Sequence, residues 1–278
     1  MRIILFCLGL LLAAFIPAWA QNDTRAINDL LLKAGDAEQN DDFDGAIAAY
    51  SGILKLRPND EAILLDRGGN YAGKKDYDRA AADFSAAIKL KPNDAMAWND
   101  RGIISLDRGA YDAALSDFNQ ALKLNPDYAE ALGYRAIVYD FKRDMDHAIA
   151  DYGALIKMQP DNGEALNARC WDRAYANREL DGAIDDCNAG LKQVRGRQAA
   201  EVRDSRGFAY FRKGDMARAI ADYNAALALD PRLSETLYKR GLAKNRAGDA
   251  AGGKADIAAA LRQDSHAGDE MNEIGLRP

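Results

Sequence analysis

The sequence predicts an all-α protein made of about seven helical hairpins that follow one another along the chain. Prolines recur at a fixed interval of 34 residues, at Pro58, Pro92, Pro126 and Pro160. Between successive prolines, apolar residues form two stripes of helical spacing that are separated by a turn. The chain is 48% hydrophobic and 8% aromatic, with only 7 prolines in 278 residues, which favours packed helices over a β-sandwich.

The first residues of the chain differ in composition from the rest. Arg2 is the sole charge among them, and Ile3 to Ile16 is an almost unbroken apolar run. The small residues Ala18 and Ala20 suit cleavage by a signal peptidase. We therefore predict a secretory signal peptide at residues 1–20. The alternative is an uncleaved membrane anchor, for which the apolar run is short.

Three further positions repeat in register with the prolines, and they define each hairpin. A small residue lies 24 residues before the proline (the small-residue position), an alanine 12 before and an aromatic ring 8 before (the ring position). Counted back from the four prolines and from Pro231, the small residues are Ala34, Gly68, Gly102, Ala136 and Gly207, the alanines are Ala46, Ala80, Ala114, Ala148 and Ala219, and the rings are Tyr50, Phe84, Phe118, Tyr152 and Tyr223. Small residues let two helices approach closely, and the ring fills the space that they leave.

This order of small residue, alanine, ring and proline at a 34-residue interval resembles the tetratricopeptide repeat. The resemblance covers about residues 27–265 and implies a right-handed solenoid of helical hairpins. The predicted array occupies residues 21–265, with units near 27–60, 61–94, 95–128, 129–162, 163–199, 200–233 and 234–265, followed by a C-terminal capping tail at 266–278.

The fifth unit departs from the pattern because it carries three extra residues and has Arg195 where a proline is expected. Its small-residue and ring positions hold Cys170 and Cys187, the two cysteines outside the predicted signal peptide. An even number of cysteines in an exported protein favours a disulfide between them. The alternative is a pair of small buried thiols.

Charged residues also recur in register. Arginine precedes the small-residue position at Arg67, Arg101, Arg135, Arg169, Arg206 and Arg240, and aspartate precedes the ring position at Asp83, Asp117, Asp151, Asp186, Asp222 and Asp256. One interpretation is a basic stripe that binds an acidic ligand. The matched recurrence favours the other, a structural Arg–Asp pair within or between neighbouring repeats. The first repeat lacks both residues, with Lys33 and Ala49 in their places.

Catalysis is not expected from this sequence, and no catalytic residue, metal ligand or cofactor is predicted. His147 and His266 are the only histidines, and no second histidine, cysteine pair or set of carboxylates makes a metal site around either. The chain has a net charge of −6 and no run of Lys or Arg longer than two. Nucleic acid is therefore a poor partner, and no stable membrane span is expected once the signal peptide is removed.

The resemblance implies that the first helix of each pair lines a concave face. The predicted binding residues are those one after the small-residue position and three or four beyond it: Ile103, Leu106, Ile137, Phe141, Trp171, Tyr175, Phe208 and Phe211. The alternative is that these residues pack between repeats, because apolar stripes at helical spacing are usually core.

The predicted function is a protein- or peptide-binding scaffold of the bacterial periplasm or cell envelope. A protein or peptide is therefore the predicted partner. Two alternatives remain open at this point. The rings could line a groove for a sugar or another small ligand, or the chain could be a non-catalytic accessory subunit of an envelope enzyme complex.

The signal peptide gives the first testable prediction. We expect export by a secreting bacterial host and cleavage after Ala20, which leaves Gln21 as the first residue. N-terminal sequencing of the purified protein checks this. Intact Met1 on protein recovered from the cytosol would contradict it.

Overall fold

The structure is a computed structural model that describes residues 18–278, with side chains from residue 23. Residues 1–17, most of the predicted signal peptide, lie outside the described residues. Within the described part of the chain, no helix has both the length and the hydropathy needed to cross a membrane. The chain divides into two compact units, unit 1 ending at Ile104 and unit 2 running from Ser105 to Pro278.

Residues 18–278 form fifteen α-helices and no strand, so the predicted all-α class is confirmed. The helices are α1 (Ala18–Gln39), α2 (Phe43–Leu56), α3 (Glu61–Gly73), α4 (Tyr77–Leu90), α5 (Ala95–Asp107), α6 (Tyr111–Leu124), α7 (Ala129–Phe141), α8 (Met145–Met158), α9 (Gly163–Tyr175), α10 (Leu180–Gln193), α11 (Gly196–Lys213), α12 (Met216–Leu229), α13 (Ser234–Arg246), α14 (Ala250–Gln263) and α15 (Asp269–Glu273). Helices α1 to α14 alternate as first and second helices of the repeat, and α15 lies in the tail.

Unit 1 contains the hairpins α1–α2 and α3–α4, and the unit boundary falls within α5. The second hairpin shows why its small residue is needed. A Cβ atom added at Gly68 would lie 2.6 Å from Cε1 of Phe84. Real Cβ atoms do not approach a ring so closely, so a larger residue at position 68 would push the two helices apart.

Unit 2 contains the hairpins α7–α8, α9–α10, α11–α12 and α13–α14. The same contact recurs here, because a Cβ atom added at Gly207 would lie 2.8 Å from Cε1 of Tyr223. The core of this unit also includes Phe208, Phe211 and Tyr238. Consecutive hairpins pack through α8 on α9, α10 on α11 and α12 on α13, as stacked repeats do.

The turn inside each hairpin has a constant geometry. Seven residues after each small residue, the backbone enters the left-handed region, at Asp41, Lys75, Gly109, Arg143, Asn177, Gly214 and Gly248. An aspartate then caps the N-terminus of five second helices. Its side chain accepts a hydrogen bond from the backbone N–H of the residue three positions later; these aspartates are Asp42, Asp76, Asp144, Asp215 and Asp249. In the irregular fifth repeat (residues 163–199), a second left-handed residue, Glu179, follows the turn and accommodates an inserted residue.

The Arg–Asp pairs are structural in both units. Arg67 forms a bidentate salt bridge with Asp83 across its hairpin, and both nitrogen–oxygen distances are 2.7 Å. The remaining Nη1 of Arg67 donates to Ser51 on the preceding second helix. Pairs of the same kind join Arg135 to Asp151, Arg169 to Asp186, Arg206 to Asp222 and Arg240 to Asp256. Fork-shaped pairing fixes the register of the packed helices.

A disulfide joins Cys170 of α9 to Cys187 of α10, with the two Cα atoms 5.7 Å apart. Both cysteines are fully buried. The disulfide therefore occupies the place that the small residue and the ring fill in other hairpins.

The core of unit 2 gives the second prediction. Phe211 is 2% exposed and Phe141 is 59% exposed. We expect Phe211→Ala to lower the free energy of unfolding by about 3–5 kcal/mol because it leaves a cavity in the core. Phe141→Ala serves as the matched surface control and should lower it by roughly 1 kcal/mol or less. Urea titration followed by far-UV circular dichroism measures both, and equal stability of the two variants would contradict the placement.

Candidate ligand-binding face

The structure separates the predicted binding residues into two groups. Phe208 and Phe211 are 0% and 2% exposed, so they belong to the core and offer no surface to a partner. Trp171 covers Phe208 with ring centroids 5.0 Å apart, and the Arg246 guanidinium lies 4.2 Å from the centroid of Phe211. For these two rings, packing between repeats is the observed arrangement, because neighbouring first helices cover them.

The other predicted residues reach the surface to different degrees. Ile103 and Leu106 on α5, Ile137 on α7, and Trp171 and Tyr175 on α9 are half-buried. Phe141 at the end of α7 is exposed and stacks on Tyr111 with ring centroids 5.3 Å apart.

A polar cavity of about 500 Å³ lies among the first helices of unit 2. Side chains of α7, α9, α11 and α13 line it, and Glu270 of α15 borders it. The side chains that matter for its chemistry are Asp140, Asn167, Trp171, Asp172, Asp204 and Lys239. Among these, sequence reasoning identified only Trp171.

Lys239 supplies a buried positive charge to the polar cavity. The side chain is 3% exposed, and its Nζ atom lies 2.5 Å from Asp204 Oδ2. The same Nζ lies 4.5 Å from the centroid of the Trp171 ring, within range of a cation–π interaction. One ammonium group is therefore already held here by a carboxylate and an indole face.

Two carboxyl groups, those of Asp140 and Asp172, also meet at the polar cavity. Tyr152 donates a hydrogen bond of 2.8 Å to Asp140 Oδ2, and Asp172 lies within hydrogen-bonding reach of Asp140. Burial, and then the neighbouring charge of Asp140, raise the pKa of Asp172 well above its ordinary value. Burial also raises the pKa of Asp140. Two buried carboxylates so close together share a proton, since they cannot both ionise without a large penalty.

Unit 1 contains a corresponding network in which an amide replaces one of the carboxyl groups. Tyr50 donates to Glu38 Oε1 at 3.0 Å, and the Asn70 amide donates to the same oxygen at 2.7 Å. Glu38 and Asp140 both lie four residues after a small residue, while Asn70 and Asp172 both lie two residues after the next one. Unit 1 therefore has an amide donor where unit 2 has a carboxyl group.

A second, more apolar cavity of about 450 Å³ adjoins the polar one. Tyr134, Ile137 and Leu155 contribute to its wall, and Ala168 borders both cavities. The two cavities thus form a continuous candidate ligand-binding face on unit 2, with an apolar part beside α7 and a polar part towards α13.

The C-terminal tail folds onto this face. Arg143 contacts Glu270 at 3.3 Å and Glu273 at 3.0 Å, and its guanidinium lies 5.1 Å from the centroid of the Tyr175 ring. Met271 is buried in the core of unit 2. The tail therefore closes one side of the polar cavity.

Among the described residues, no group of three or more His, Cys, Asp and Glu side chains is arranged to hold a metal ion. The polar groups of the cavity are carboxyls, the Lys239 ammonium, the guanidinium groups of Arg143 and Arg232, and hydroxyl or amide side chains, which suit hydrogen bonding and charge recognition.

Comparison with protein families agrees with this repeat geometry. Family models of the tetratricopeptide repeat match residues 31–95 and 69–136, and a further model of the TPR repeat matches residues 207–248. The chain belongs to the tetratricopeptide repeat family. A comparison with curated proteins found no match to the sequence.

Solved structures share the fold. A tetratricopeptide repeat protein from Parabacteroides merdae has 18% sequence identity and a TM-score of 0.64 over 91% of this chain and 98% of its own. The MamA protein has 25% identity and a TM-score of 0.56, over 61% of this chain and 92% of its own. YrrB, described as a TPR protein with an unusual peptide-binding site, has 18% identity and a TM-score of 0.60, over 66% of this chain and 93% of its own.

The carboxyl pair gives the third prediction. Because the folded-state pKa of Asp172 is raised, the folded protein binds more protons than the unfolded chain, and stability falls as pH rises above the ordinary aspartate pKa. Asp172→Asn restores the amide donor seen at Asn70. We expect it to raise the free energy of unfolding by about 1–3 kcal/mol near pH 8 and by less near pH 5.

The reciprocal change in unit 1 is the matched control. Asn70→Asp replaces an amide donor with a carboxyl group beside Glu38, so it should lower stability, and more so near pH 8 than near pH 5. Urea titrations at both pH values measure the two variants. A stability difference for Asp172→Asn that does not change with pH would contradict the shared proton.

Proposed function

We propose that this protein is a non-catalytic scaffold of the bacterial periplasm that binds a protein or peptide on the candidate face of unit 2. The observation that carries the proposal is the pair of adjoining cavities lined by first helices, one mainly apolar and one polar. Such a surface accepts an apolar side chain and a hydrogen-bonding group from one ligand, and few buried anchors supply most binding energy at protein interfaces.

The fold supports this proposal. Tetratricopeptide repeats stack into extended surfaces, and helical repeats of this kind act in general by binding rather than by catalysis. YrrB shares the fold and is described as having a peptide-binding site. The half-buried side chains of Ile137 and Trp171 supply apolar area at either end of the face of this chain.

Two features support export. The apolar run from Ile3 to Ile16, followed by small residues, fits a signal peptide. The disulfide between Cys170 and Cys187 fits an oxidising compartment such as the periplasm, since the cytosol keeps most thiols reduced.

A small-ligand site is the second candidate function. The volume of the polar cavity lies within the range of small-molecule sites, and Trp171 offers an aromatic wall beside several hydrogen-bonding groups. A sugar or another small polar ligand would use these groups without requiring the apolar cavity.

The proposal is tested by filling the face. Ala168 borders both cavities, so Ala168→Tyr should obstruct them without removing a core contact. Ala255→Tyr is the matched control, because Ala255 is exposed on α14, a second helix. We expect Ala168→Tyr to reduce capture of a specific envelope protein by at least about tenfold, or about 1.4 kcal/mol, while Ala255→Tyr leaves capture unchanged.

Capture is measured with the immobilised full chain, periplasmic extract and quantitative mass spectrometry, after both variants are shown to retain helicity. Equal capture by the two variants would place the binding surface elsewhere. The absence of any protein enriched over a blank matrix would contradict the scaffold function.

A further inference from the structure

The geometry points to the Asp140–Asp172 pair in the polar cavity as a receptor for a primary ammonium or guanidinium group, such as the side chain of Lys or Arg in a bound peptide. This inference rests on the proposed function, because it names the chemistry by which the candidate face recognises its ligand.

Several buried oxygens that line the polar cavity have no donor from a nitrogen or hydroxyl group. Asp172 is 2% exposed, lines the cavity and has an Oδ2 atom that no such donor of the described residues reaches. Asp140 Oδ1, Asn167 Oδ1 and Asp204 Oδ1 on the same cavity also lack one. Buried oxygens are nearly always hydrogen-bonded, and the one proton that Asp140 and Asp172 share cannot satisfy all four, so these acceptors mark the place for a group with several donors.

The carboxyl groups that line the polar cavity outnumber its cations. The charged and titratable side chains that line the polar cavity are Asp140, Asp172, Glu201, Asp204, Glu235 and Glu270, with Arg143, Arg232 and Lys239 as the cations, and Tyr152 contacts Asp140 from α8. Each cation contacts another carboxylate: Lys239 pairs with Asp204, Arg143 with Glu270 and Glu273, and Arg232 with Asp230. The Asp140–Asp172 pair makes no salt bridge in the described structure, so a ligand cation would meet an excess of negative charge.

The polar cavity already binds one cation of the protein itself. The Lys239 ammonium is held by a carboxylate at 2.5 Å and by the Trp171 face at 4.5 Å. A second ammonium or guanidinium group at Asp140 and Asp172, which line the same cavity, would use the same type of carboxylate contact. A guanidinium group has five donors, enough for the unsatisfied oxygens of Asp140, Asn167 and Asp172.

In unit 1, the corresponding network is complete without an external donor, because the amide of Asn70 donates a hydrogen bond to Glu38. At Asp172 the equivalent position lacks a donor unless a proton is taken from solvent. A bound cation would replace that proton, which is released to the buffer, so binding should strengthen as pH rises.

The experiment is isothermal titration calorimetry of the full chain with simple cations. The probes are n-pentylamine and n-butylguanidine, and 1-pentanol and pentanoate are the uncharged and anionic controls. We expect both cations to bind near pH 8 with dissociation constants of about 1–10 mM, as suits ligands of this size. Affinity should fall by about tenfold or more near pH 5, because the higher proton concentration competes with the cation for the carboxyl pair.

Asp172→Asn is the decisive variant because it supplies the internal donor found in unit 1 and should weaken binding of both cations by at least about tenfold. Asp112→Asn, which removes an exposed carboxylate of α6, should leave binding unchanged. Circular dichroism confirms that each variant is folded.

Several outcomes would overturn the inference. These are no heat with either cation, equal binding of 1-pentanol, binding that Asp172→Asn leaves intact, or tighter binding of Ca²⁺ or Mg²⁺ at the same carboxyls. None of these measurements uses a protein partner. Capture that Ala168→Tyr abolishes, together with no cation binding, would leave the scaffold function standing and remove only this inference.

Discussion

The whole array depends on one close contact, the approach of two helices at the small-residue position. At Gly68 and Gly207 the helices come so near that the ring of the partner helix occupies the space of the missing side chain. Where arginine directly precedes the small residue and aspartate directly precedes the ring, as in hairpins α3–α4 and α11–α12, this contact also aligns the Arg–Asp pair. In the fifth repeat, a disulfide holds the same two positions together.

The candidate site depends on this contact indirectly, through the spacing of the hairpins. Once the small residues fix the spacing of hairpins, residues two and four positions after them meet between neighbouring first helices. Unit 1 uses this meeting point for Glu38 and Asn70, and unit 2 uses it for Asp140 and Asp172. The chemistry of the site therefore depends on which side chains occupy two repeat positions, whereas its geometry is set by the stacking.

Much of the fold was predictable from the sequence because repeat spacing reports local contacts directly. The pairing of Cys170 with Cys187 follows from the positions that they occupy, and the charged residues were correctly interpreted as structural pairs. The placement of Phe208 and Phe211 was not predictable, because it depends on how Trp171 and Arg246 of neighbouring hairpins cover them. One available signal was overlooked: two residues after the small residue, Ile104, Val138, Ala209 and Ala243 are apolar, whereas Asp172 is an acid at a buried position.

An acid at position 172 is unfavourable for folding, and Asn70 shows that the same backbone accepts a neutral donor there. A buried carboxyl group without a donor is destabilising by about 1–3 kcal/mol, whereas a matched amide would complete the network. The fold thus holds an acceptor that its own stability does not require, on the wall of a cavity that already binds the Lys239 ammonium. Unfavourable buried polar groups of this kind concentrate at functional sites, where a ligand satisfies them.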